Sequence, residues 1–176
     1  VTMVMHEQEP KRKIFVLNRG QYDQPLDEVS EDVPVVLSPL ATNQPKNRLG
    51  LARWLTSPTH PLTARVAVNR WWEMLFGTGL VETAEDFGIQ GALPSHPELL
   101  DWLATELVAQ QWNQRAVIKQ IALSAAYRQS SKVTLELLER DPHNRLLARG
   151  PRYRLSAETV RDNALFVSGL LKAHLG

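Results

Sequence analysis

Glu82, Glu85 and Asp86 fall within one glycine-rich loop, and acids this close together are the first place where the chain could do chemistry. Two carboxylates held about 5 to 9 Å apart can cleave a glycosidic bond, one as acid and the other as base or nucleophile. The ordinary alternative is a solvated loop whose acids cap a helix or pair with arginine. A second candidate is the run that carries Arg140, Arg145, Arg149, Arg152, Arg154 and Arg161 against Asp141, Glu158 and Asp162. Guanidinium groups fork onto carboxylate, sulfate or phosphate. With Tyr127 and Tyr153 this run could form a groove for an anionic ligand. It could equally lock the last helix to the core through Arg–carboxylate pairs, with Arg65 and Arg70 pairing Asp86 in the same way. A third candidate is aromatic. Trp54, Trp71, Trp72, Trp102 and Trp112 are many for a chain of 176 residues. Neighbours on a helix point about 100° apart, so Trp71 and Trp72 cannot share one core seam. One packs inward; the other lies at a boundary, where an indole can stack on a sugar ring or a partner domain. The ligand-binding candidates are thus Arg70, Trp72, Glu82, Asp86, Arg145, Arg149, Arg152 and Arg154, and no catalytic residue is assigned.

Several chemistries lack their residues. The five histidines are scattered, no two at i, i+4, and no H-E-x-x-H is present, so no metal site is read from them. No G-x-S-x-G occurs, and Gly77, Gly79, Gly88 and Gly91 fit neither phosphate-loop pattern. With no cysteine there can be no disulfide, thiolate metal site, thiol nucleophile or covalently attached haem, and no cofactor is expected in this segment. A net charge of +1 argues against nucleic acid. No apolar run reaches the ~20 residues of a membrane span. Apolar content of 43% and charged content of 22% are those of a globular domain with a real core. No leader opens the chain at Val1, which is read as a piece of a longer protein.

The elements that must position these residues follow from periodicity and breakers. Val1–Met5 and Ile14–Leu17 read as two strands of a loose hairpin, with a turn at Asn18-Arg19-Gly20. Pro34 demotes Val33–Leu37 to an edge strand or extended arm. Asn47 caps a short helix that Pro58 stops, and the next opens at Pro61 or Leu62 and ends at Gly77. Thr78–Leu93 is a loop. Ser95-His96-Pro97-Glu98 is a capping box with Ser95 at the N-cap, leading a helix to about Gln111. Asn113 caps another helix, with Val117, Ile118, Ile121, Ala122 and Ala125 as its buried stripe, ending near Gln129. Thr134–Arg140 is helical and Asn144–Ala148 is a candidate further turn. Ser156 caps a last helix whose apolar set is Val160, Ala164, Leu165, Val167 and Leu171.

The segments FVLNRGQYDQP (15–25), NRLGLARWLTSPTHPLTARVAVNRWW (47–72), FGTGLVETAEDFGIQGALPSHPELLDWLA (76–104), SAAYRQSS (124–131), DPHNRLLARGPRYRLSAETVRD (141–162) and SG (168–169) carry a family resemblance. In these residues the chain resembles the C-terminal domain of unknown function of planctomycete-type multidomain proteins, which join a cytochrome c-like domain to uncharacterised regions. The resemblance implies a periplasmic, cell-surface or secreted location and a haem-bearing domain elsewhere in the parent chain. It supplies no catalytic residues to carry over. Family members usually run on past Gly176, which would leave the last helix short of its packing partner.

The expected architecture is mainly α, an orthogonal bundle of five or six helices (45–176) behind a short β-hairpin or extended lead-in (1–44). The expected role is a structural or interaction module of a larger exported, haem-associated protein. Its partners are other domains of the parent chain, or an extracellular glycan or protein. The rival is part of a catalytic or glycan-binding unit built on the 82–86 loop and the Arg145–Arg154 stretch.

Overall fold

The computed structural model describes residues 3–4, 6–8 and 10–172. The fold is mainly helical, with seven α-helices among the described residues and one antiparallel two-stranded hairpin near the N-terminus. The chain forms two compact units, Val1–Ala64 and Arg65–Gly176.

In the first unit, β1 (Ile14–Leu17) pairs with β2 (Pro25–Val29), Ile14 opposite Val29 and Leu17 opposite Pro25. The hairpin expected between Val1–Met5 and Ile14–Leu17 is therefore paired differently. Residues 1, 2 and 5 of the first run lie outside the described ones, and Met3 and Val4 are not in a strand. The connection explains the actual choice. A 3-10 turn at Asn18–Gly20 holds Arg19 and Gly20 at positive φ. The Asn18 amide N–H then donates to the Gln24 carbonyl at 3.0 Å, which reverses the chain onto Pro25. Val33–Leu37 is neither strand nor arm: the Leu37 N–H closes a turn on the Pro34 carbonyl, and Val35 and Val36 stand exposed.

Helix α1 (Arg48–Leu55) begins where expected, because the Asn47 side chain accepts from the Gly50 N–H at 3.1 Å. A Cβ on Gly50 would strike the Pro45 carbonyl, which fixes that position as glycine. The Trp54 indole N–H donates to the Ser38 carbonyl at 2.7 Å, and its ring meets His60 edge-on. The His60 Nδ1 accepts from the Leu62 and Thr63 N–H groups at 3.3 and 3.1 Å, so His60 caps the following helix, which opens at Thr63 rather than at Pro61 or Leu62.

Helix α2 (Thr63–Phe76) spans the division between the units. In the second unit the core gathers Val68 and Trp72 of α2, Leu80 and Val81 of the loop, Leu100, Leu103 and Leu107 of α3 (Pro97–Ala109), and Val117 and Ile121 of α4 (Gln114–Leu123). On α3 the buried set Leu100, Leu103, Ala104 and Leu107 is the i, i+3, i+4, i+7 stripe of an amphipathic helix. The capping box foreseen there is not made. His96 is the N-cap residue without a side-chain cap bond, and Pro97 takes the first turn. Ser95 is drawn away by the Leu80 carbonyl, to which its N–H donates at 2.8 Å and its hydroxyl at 3.3 Å. The Arg65 Nε donates to Asp101 at 2.7 Å, linking α2 to α3 and holding the Asp101 carboxyl below its usual range.

Asn113 caps α4 as expected, accepting from the Ala116 N–H at 3.2 Å, but α4 ends earlier than the pattern implied. Ser124 turns extended and caps a separate short helix, α5 (Ala125–Arg128), leaving Ala125 exposed. Helix α6 (Leu135–Arg140) follows, with Thr134 accepting from the Leu137 N–H. The stretch Asn144–Ala148 is a loop and not a helical turn, because Asn144 and Leu147 adopt φ of 54° and 55°. Helix α7 (Ala157–Val167) is capped by Ser156 and buries nothing. Of its expected stripe only Leu165 is half-buried, while Val160 is 56% and Val167 79% exposed.

Truncation separates the two kinds of apolar stripe. Leu107→Ala is expected to cost about 3 kcal/mol, since the side chain is fully enclosed. Val160→Ala is expected to stay within about 0.5 kcal/mol. Denaturant unfolding of both variants checks this, and equal losses would contradict the burial pattern.

Candidate functional site

Five candidates, Glu82, Asp86, Arg145, Arg149 and Arg152, fall on two loops of the second unit, residues 77–95 and 141–153, while Arg70 and Trp72 lie on α2 and Arg154 follows the second loop. The first leaves α2 at Gly77, whose φ of 82° and N–H bond to the Glu73 carbonyl at 2.7 Å end the helix. A Cβ there would lie 2.8 Å from Cγ of Tyr153, so glycine lets the tyrosine ring lie against the helix end. The Tyr153 hydroxyl donates to the Met74 carbonyl. Burial, and then Tyr127 nearby, push the Tyr153 phenol above its ordinary pKa.

Asn69 anchors the loop. It is completely buried, and its amide copies a strand edge: Nδ2 donates to the Val81 carbonyl at 3.0 Å, and Oδ1 accepts from the Val81 N–H at 2.8 Å. A Cβ on Gly79 would come within 2.7 Å of the same amide, so the close approach requires glycine. Farther along, the Thr83 hydroxyl donates to the Asp86 carbonyl at 2.7 Å and accepts from the Ala92 N–H at 2.9 Å. Asp86 Oδ1 accepts from the Gly88 N–H at 2.7 Å, so this carboxylate shapes its own turn.

The second loop closes with polar side chains of its own. Asp141, 7% exposed, accepts from the N–H groups of Arg145 and Leu146, both at 2.8 Å. Asn144 exchanges two bonds with the Arg149 backbone, at 2.8 and 3.2 Å. Arg149, 8% exposed, gives its guanidinium to three carbonyls: Asp141 at 2.9 Å, Pro142 at 2.8 Å and Leu137 at 3.4 Å. These carbonyls lie at and just past the C-terminal end of α6, where helix dipoles favour a cation. A Cβ on Gly150 would meet the Gln129 carbonyl, and the Gly150 N–H bonds to Ser130 at 2.9 Å.

The sequence candidates divide accordingly. Glu82 and Arg145 meet at 2.6 Å and tie the two loops together. Arg70 faces Glu85 at 3.7 Å on the surface. Trp72 is buried and stacks on Phe76 at 4.0 Å, while Trp71 is half-buried, so the inward indole is the second of the pair. Arg149 closes its loop. Arg152 lines a cavity of about 340 Å³ between the loops, together with Trp72, Phe76, Leu80, Arg145 and Tyr153. Arg70, Glu82, Asp86 and Arg154 do not line it. Among the described residues no three His, Asp or Glu side chains are grouped to hold a metal ion.

Sequence reading passed over Asn69, Asp141 and Asn144. Asn69 had a signal: an amide in the middle of an apolar helical stripe must find partners once buried. Asp141 read as an acid facing the arginine run and Asn144 as the start of a further helical turn, and nothing local reveals that their side chains close a loop. Asn69→Ala leaves the buried Val81 N–H and carbonyl without partners. It is expected to cost about 2–4 kcal/mol in denaturant unfolding. A loss below about 0.5 kcal/mol would show that the loop does not depend on this amide.

The family model described as PSD1, Protein of unknown function (DUF1553), matches residues 47–176, and the chain belongs to that family. No curated protein and no solved structure matches it.

Proposed function

We propose that this member of the PSD1 family (DUF1553) is an interaction module, with 45–176 as its working domain. Its place would be a larger exported, haem-associated multidomain protein, periplasmic or at the cell surface. Its partner would be a neighbouring domain of the parent chain, in keeping with the multidomain proteins that the sequence resembles. The observation that carries this reading is α7. A well-capped helix keeps apolar side chains in solvent along its length: Val160, Phe166 and Val167 are 56%, 72% and 79% exposed. Large apolar side chains left exposed along one helix mark a candidate contact site.

The groups that could do chemistry support the same reading by what they hold. Glu82 and Glu85 face Arg145 and Arg70, Asp86 binds a backbone N–H, and Arg149 is taken up by three carbonyls. A hydrolytic pair would instead need carboxylates free to face a substrate.

In the full-length protein, hydrogen exchange at the amides of α7 is expected to be slow, and Phe166→Asp with Val167→Asp is expected to make it fast without lowering the melting temperature of the module's own core. Fast exchange of α7 in the unmodified full-length protein would contradict the proposal.

A further inference from the structure

The cavity between the two loops has a charge bias that the chain as a whole lacks. The protein carries 20 Lys and Arg against 19 Asp and Glu. The cavity's lining nevertheless includes three arginines, Arg145, Arg149 and Arg152, together with His143 and no carboxylate. Arg149 is turned to its carbonyls, but the Arg152 guanidinium, the His143 ring and the Thr78 hydroxyl have no hydrogen-bond partner among the described residues. Arg145 shares its charge with Glu82, an acid whose side chain is 61% exposed and which stands outside the cavity. The rest of the wall is mixed: Phe76, Leu80, Leu147, Pro151 and Tyr153 give it an apolar and partly aromatic part, and Ser95 and Asn144 a polar one. A volume of about 340 Å³ lies at the small end of the range for small-molecule sites, about 300–1,000 Å³.

We propose that this cavity binds a small organic anion with a ring-shaped body. The anionic group, a carboxylate, sulfate or phosphate ester, takes the forked donors of Arg152 and Arg145. The ring lies against the Tyr153 side chain, which is 41% exposed. An anion entering here meets no opposing acid, and the apolar wall strengthens its attraction to the guanidinium groups. Glu82 is the built-in competitor: it holds Arg145 in the empty state and is displaced to solvent when the ligand arrives. The loops, closed by Asn69 and Asn144, hold the backbone around the cavity before binding. This site stands on the cavity and its donors, independently of the packing role assigned to α7.

Isothermal titration calorimetry of the intact protein tests it with four probes: phenyl phosphate, glucose 6-phosphate, inorganic phosphate and phenol. Saturable one-to-one binding is expected for at least one of the first two, about ten-fold or more tighter than for inorganic phosphate or phenol, and the better of the pair tells an aryl from a glycosyl body. Arg152→Ala is expected to weaken that binding about ten-fold or more, the worth of a charged hydrogen bond. Glu82→Gln is expected to tighten it by up to about five-fold, the worth of an exposed ion pair. Both side chains are at the surface, and unchanged thermal unfolding of the unliganded variants shows that folding is intact. No saturable binding of either ring-bearing anion overturns the proposal. So does an affinity that neither substitution changes, or inorganic phosphate binding as tightly as both ring-bearing anions.

Discussion

An asparagine amide with zero exposure has to be answered, because an unpaired buried amide costs about 1–3 kcal/mol for each group left without a partner. Among the described residues Asn69 is answered by Val81, through both its N–H and its carbonyl. That single constraint determines much of the second unit. It forces the chain leaving α2 to double back against the helix. It brings Gly79 so near the amide that no side chain fits, and it carries Leu80 and Val81 into the core. The Leu80 carbonyl then takes the Ser95 N–H and hydroxyl, which sets where α3 begins. One polar residue in an apolar stripe thus positions a loop, a helix start and one wall of the cavity.

The opposite loop uses the same physics with different side chains. Asp141, Asn144 and Arg149 supply the partners that a loop without secondary structure cannot find in its own backbone. A guanidinium as buried as that of Arg149 is costly unless it is met, and here three carbonyls at and beyond the end of α6 meet it in place of a carboxylate. The Glu82–Arg145 pair then links two loops that are each closed by hydrogen bonds of their own. Exposed as it is, the pair adds at most about 1 kcal/mol, and its effect is on the charge that the cavity presents.

What the sequence made legible follows from this. Helices α3 and α4 were visible because their buried residues repeat at helical spacing, α2 because Pro61 and Gly77 bound it, and Asn47, Asn113 and Ser156 were visible as caps because nothing nonlocal competes for them. Ser95 looked equally good as a cap, and a carbonyl fifteen positions earlier took it. The hairpin was legible as a hairpin but not in its pairing, which a turn closing on Gln24 decides. The arginine run was legible as charge only. Arg145, Arg149 and Arg152 look alike in sequence, yet one joins two loops, one holds a helix end and one lines the cavity without a partner among the described residues. Helix α7 showed the right periodicity and buries none of its stripe among the described residues, because a stripe records which face is apolar and not what lies against it.

The central claim is that the Asn69 amide clamps Val81, and the hydrogen-exchange rate of the Val81 amide tests it most directly. Exchange as slow as that of the fully buried Leu107, in the last turn of α3, is expected, because the bond opens only when the core does. Exchange at the rate of an exposed loop amide, with Leu107 still protected, would mean that the loop opens on its own and that Asn69 does not organise this unit.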